Sequence, residues 1–128
     1  MKVLLICVCL ILFAACSAAP EMSFADLPSG DAGRGAALFA EGAGGAPACA
    51  TCHTLDGTTL AGPSLQNYAS IAPVADAGAP SLEDYTYTSI VQPSAHVVTG
   101  FGNTMYNQYE RQLSPQQVAD LIAYLLTL

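Results

Sequence analysis

Apolar positions along this chain fall into three patterns. Residues 3–15 form an uncharged, mostly aliphatic run behind Met1-Lys2. Near the other end, Val118, Leu121, Ile122, Leu125 and Leu126 recur at helical spacing, which predicts one buried stripe. Between these, short apolar groups are separated by Gly, Pro, Ser, Thr and Asp. Strand alternation is nearly absent, and Val97-Val98-Thr99 is too short to count. The pattern is that of an all-α domain.

Local signals place the helices. Ser114-Pro115-Gln116-Gln117 is the strongest start in the chain, with a serine cap, a proline at the first helical position and a glutamine completing a capping box. A second helix is predicted over 31–42, capped by Asp31 and carried by Ala36-Ala37-Leu38-Phe39-Ala40. Gly33 and Gly35 cost that helix about 1 kcal/mol each against alanine. Close approach of another helix gives such glycines a reason, although Gly33 also reads as part of a frayed first turn. A third helix is predicted over 81–91, with Ser81 and Asp84 as a weak capping pair. Leu82, Tyr85 and Ser89 share one face, Ile90 lies beside them, and Pro93 ends the helix. Residues 55–80 read as loop with a short helical turn around 65–70. A loop that long in a small domain has a function or wraps something.

The first apolar run changes the view of the N-terminus. It is shorter than the ~20 residues that span a bilayer. A positive start, an apolar core and small residues make it a secretory signal over 1–15. Phe13-Ala14-Ala15-Cys16 resembles a bacterial lipobox, which implies a lipid on Cys16, although a cysteine also sits near an ordinary cleavage site by chance. Residues 16–30, with Pro20 and Pro28, read as a tether, and its fourteen residues after Cys16 reach roughly 20 Å. The domain proper is then 31–128. The expected location is the bacterial cell membrane, facing the periplasm or the cell exterior.

Charge narrows the partners. Without Lys2, only Arg34 and Arg111 stand against ten acidic residues. That balance excludes nucleic acid, whose phosphates need Lys and Arg. It also excludes docking through a ring of lysines.

The chemistry sits in Cys49-Ala50-Thr51-Cys52-His53. This is C-x-x-C-H, the attachment signature of a c-type haem. Two thiols can each add across one vinyl group, and the following histidine can ligate the iron. Cys7 and Cys9 lie in the signal and Cys16 in the lipobox, so no pair remains for a structural disulfide. For a sixth ligand the candidates are Met105, in the glycine-containing stretch Gly100-Phe101-Gly102-Asn103-Thr104-Met105, and His96. A thiol redox centre lacks the βαβ setting it needs, and zinc lacks four well-spaced ligands.

The chain resembles a class I, mono-haem bacterial cytochrome c. The residues that carry the resemblance are Gly35 and Phe39, the haem motif, Gly62-Pro63-Ser64-Leu65, Tyr85 with Ser89-Ile90 and Pro93, Val97-Val98 with Gly100-Phe101 and Met105, and Leu113-Ser114 through Tyr124-Leu125. The resemblance implies three to four helices wrapped around one covalent haem. It implies that the first and last helices cross with Gly35 and Phe39 meeting Tyr124, and that the Pro63 carbonyl accepts a hydrogen bond from His53. It further implies His53 and Met105 as axial ligands, Cys49, Cys52 and Pro63 as haem-site residues, and one-electron transfer to and from membrane-bound redox complexes of a respiratory or photosynthetic chain, as a carrier or a subunit. Tyr106 follows Met105 where many relatives have proline, which leaves room for a labile sixth ligand and hence for a haem enzyme or gas sensor. There is no tryptophan for a propionate; Tyr68, Tyr106, Arg111 or loop amides are left to take that role.

Overall fold

A computed structural model describes residues 22–128. The predicted signal, Cys16 and the first part of the tether lie outside the described residues. The elements are a 3₁₀ turn at Phe24–Asp26, then α1 (Ala32–Glu41), a second 3₁₀ turn at Cys49–Thr51, α2 (Tyr68–Ile71), α3 (Leu82–Val91), α4 (Tyr109–Gln112) and α5 (Pro115–Leu125). Among the described residues the only β-feature is an isolated bridge between Ala43 and Ala46. No described helix is long and apolar enough to cross a membrane.

α5 starts as its sequence demands. The Ser114 hydroxyl accepts from the Gln117 amide, the Gln117 side chain accepts from the Ser114 amide at 2.8 Å, and Pro115 takes the first turn. Val118, Leu121, Ile122 and Leu125 are buried along one stripe. α1 starts at Asp31, whose carboxylate accepts from the Arg34 amide at 2.8 Å.

α1 and α5 make the most extensive helix–helix packing in the domain. They cross where Gly35 rests against the Asp120 backbone; a Cβ on Gly35 would collide with the Asp120 carbonyl and approach the Tyr124 Cβ to 2.7 Å. One turn on, the Phe39 and Tyr124 rings pack with centroids 5.6 Å apart. Gly33 meets only its own capping residue, so the crossing explains Gly35 and not Gly33.

Asp120 lies in this crossing, 2% exposed. Its carboxylate accepts from Arg34 Nε at 2.7 Å and Nη2 at 2.9 Å, from the Asp31 amide at 2.8 Å and from Gln116 Nε2 at 2.9 Å. These charge-assisted bonds offset its desolvation and hold its carboxyl down at about 2, the Arg34 guanidinium being the largest cause.

α3 differs from the single apolar face that its spacing predicts. Tyr85 and Ile90 are buried, and so are Thr86, Tyr87 and Val91, because the helix packs against α5, α4 and the first 3₁₀ turn at once. Thr86 is fully buried because its hydroxyl is satisfied twice. It donates to the Leu82 carbonyl at 2.7 Å and accepts from the Tyr68 hydroxyl at 2.8 Å.

The described part of the predicted tether is docked rather than free. The Tyr87 hydroxyl donates to the Met22 carbonyl at 2.6 Å, and Gln116 Nε2 donates to the Ser29 carbonyl at 2.8 Å. Phe24 and Leu27 pack against the core. Proline and small residues in this segment carried no periodicity, yet the 3₁₀ turn that carries Phe24 packs on α3 and Ser29 is bonded to α5.

Candidate functional site

The C-x-x-C-H segment folds as a tight turn. The Cys52 and His53 amides both donate to the Cys49 carbonyl, at 3.1 and 3.0 Å. The loop after it clips back, with Gly62 N donating to the Cys52 carbonyl at 3.0 Å and Leu65 N to the Thr54 carbonyl at 2.8 Å. These bonds bring Gly62 and Pro63 onto the His53 ring. His53 Nδ1 lies 2.8 Å from the Pro63 carbonyl, which can only accept. Nδ1 is therefore the donor, and in the neutral ring the Nε2 lone pair is left for a metal. Gly62 sits so close that a Cβ there would fall on the imidazole, 2.8 Å from Nδ1 and 2.9 Å from Nε2.

Cys49, Cys52 and His53 line one cavity together with Gly62, Pro63 and Met105. The cavity volume is about 250 Å³, and the cavity opens to solvent at its mouth. Its inner lining comes from Phe39, Tyr85, Ile90, Leu121 and Leu125, and among the described residues no Asp, Glu, Lys or Arg lines it. Helix crossing and cavity are thus one construction, since α1, α3 and α5 supply the floor on which the motif sits.

The neighbouring polar groups are engaged. Tyr109 donates its hydroxyl to the Pro47 carbonyl at 2.9 Å and lies beside Cys49. Burial pushes the Tyr109 phenol and the Cys49 thiol up. Burial likewise pushes the Tyr68 phenol up to about 12. Its hydroxyl is held by Thr86, which removes the simplest reason to assign it to a propionate. Arg111 is exposed and does not line the cavity. Tyr106 does line it, with its hydroxyl 2.6 Å from Gln112 Nε2. His96 also lines it, its ring edge-on to Tyr85 with centroids 6.0 Å apart. Among the described residues no three His, Cys, Asp or Glu side chains gather to hold a metal ion by themselves.

The set fits a c-type haem. Two thiols without a disulfide partner among the described residues, a histidine that donates from Nδ1 to the Pro63 carbonyl, and a thioether converge on an apolar cavity. The cytochrome c family model matches residues 32–128. The chain belongs to the cytochrome c family. It has the all-α class I cytochrome c fold, and its family chemistry is haem-based electron transfer with covalently bound haem c. No curated protein and no solved structure matches the chain.

This cytochrome c uses residues that its sequence did not advertise. Asp120 carries no local signal, since its partner Arg34 is 86 positions away. Thr86 carries none either, since its partner Tyr68 lies 18 positions back. The single-turn α4 is too short for a periodicity signal, yet it places Tyr109 and Gln112.

Proposed function

We propose that this cytochrome c carries single electrons through one haem, bonded to Cys49 and Cys52 and ligated by His53 and Met105. The observation that carries this reading is the convergence of those four side chains on one uncharged cavity. Bound there, the haem supplies a reversible one-electron couple. The Pro63 carbonyl fixes the His53 ring and strengthens its donation. The Met105 thioether favours ferrous iron and raises the potential. Apolar walls exclude water and limit reorganisation when the charge changes.

The site works at a bacterial membrane surface in this reading. Cys16 carries the lipid anchor, and donor and acceptor are membrane-bound complexes of a respiratory or photosynthetic chain. A tether raises effective concentration near such partners. His96 lines the same cavity and is the competing sixth ligand; a site left open at that position is the sensor or enzyme reading.

Absorption spectra of oxidised and reduced protein, made in a host that attaches haem c, test all three. A sharp reduced α-band with the weak far-red sulfur-to-iron band supports His53 and Met105. Haem without that band favours His96, and rapid carbon monoxide binding favours the open site.

A further inference from the structure

Met105 itself packs against the core, but the stretch just before it has little of its own to hold it. Its backbone hydrogen bonds among the described residues are local, Phe101 N to the Val98 carbonyl and Thr104 N to the Gly102 carbonyl. Thr99, Gly100, Gly102, Asn103 and Thr104 are exposed, and Gly100 has φ +94°. Such a segment opens readily unless fixed at an end.

Tyr106, the next residue, supplies a fixed end. Its ring stands edge-on to Tyr109 with centroids 5.0 Å apart. Its hydroxyl accepts from Gln112 Nε2 at 2.6 Å. Tyr109 is in turn tied to the Pro47 carbonyl, two residues before Cys49. A continuous set of contacts therefore runs from the methionine segment to the haem-attachment segment. A second observation points the same way. Gln112 Oε1 is buried with no hydrogen-bond partner among the described residues. Native chains rarely bury an amide half-satisfied, and each case calls for a reason; here the other half of the amide grips Tyr106.

We propose that the Tyr106–Gln112 hydrogen bond fastens the distal segment and so keeps Met105 on the iron. Tyr106 and Gln112 are positioning residues, and neither is a ligand. The inference rests on Met105 as sixth ligand. Breaking the bond raises the fraction of molecules with that position vacant, and apparent affinity for a competing ligand rises in proportion.

The test titrates oxidised holoprotein with imidazole and follows the far-red band. Tyr106→Phe keeps the ring and removes the hydroxyl; Gln112→Leu removes the amide from the other side. Each is expected to tighten apparent imidazole binding about five- to tenfold, the worth of one hydrogen bond. The double variant is expected to go no further than either single one, because both delete the same interaction. Unchanged imidazole affinity in Tyr106→Phe, or additive effects in the double variant, overturns the proposal. A wild-type protein that lacks the far-red band overturns the ligand assignment first, and the fastening with it.

Discussion

Gly35 of α1 lies directly on the Asp120 carbonyl of α5, with no space between the two backbones for a side chain. The crossing forms the floor of the haem cavity, since Phe39 beside Gly35 and Leu121 beside Asp120 both line it. Gly35→Ala is expected to destabilise the domain by about 3 kcal/mol, the upper range for overpacking. Gly33→Ala faces only the Asp31 carboxylate at 3.2 Å and should stay within about 1 kcal/mol of wild type. Thermal unfolding of the two variants checks the contrast.

Asp120 gives the domain an acid limit. Its carboxyl sits at about 2 in the folded chain, below its ordinary value of 3.8. A depressed folded value means that stability is present above the unfolded value and is lost as pH falls from about 4 towards 2. The contribution is on the order of 2 kcal/mol. Asp120→Asn should lower stability at neutral pH and flatten the decline below pH 4. Denaturant melts of both proteins across that range provide the check; parallel curves would count against the role.

Gly62→Ala should displace the His53 ring, since the added carbon falls on it. The Nδ1–Pro63 bond would break, and the histidine would hold iron roughly tenfold more weakly or worse, as when such an outer partner is removed. A rise in high-spin signal and a lower yield of holoprotein are the expected readouts.

Met105→Ala should keep the covalent haem, lose the far-red band and bind carbon monoxide quickly when reduced. A spectrum identical to wild type would assign the sixth position to another residue, His96 first.

Cys16→Ser should move the protein from the membrane fraction to the soluble fraction. Unchanged partition after cell breakage would refute the lipid anchor.

What the sequence made legible was whatever rests on neighbours within a few positions. The Ser114, Pro115 and Gln117 cap, the apolar stripe of α5, the Asp31 cap and the C-x-x-C-H turn are all local. Gly35 was legible because its cost in a helix demands a contact. Pairs such as Arg34–Asp120 and Tyr68–Thr86 leave no spacing signature, because their partners meet only after the helices pack. Tyr106 is a further case: the lack of a proline beside Met105 is legible and leaves room for a labile ligand, whereas its contacts with Gln112 and Tyr109 form only once α4 is in place.

Docking of 22–30 onto α3 and α5 also resets how far the domain can roam. With an anchor at Cys16, six residue steps rather than fourteen separate it from Met22, the first docked residue. Six steps span at most about 20 Å when fully stretched. For chains of equal stiffness, effective concentration scales as the −3/2 power of length, so the shorter leash raises it about three- to fourfold. For a chain anchored there, the search for a redox partner would be correspondingly more confined, and a partner whose docking face stands higher above the bilayer than six steps reach would be out of range.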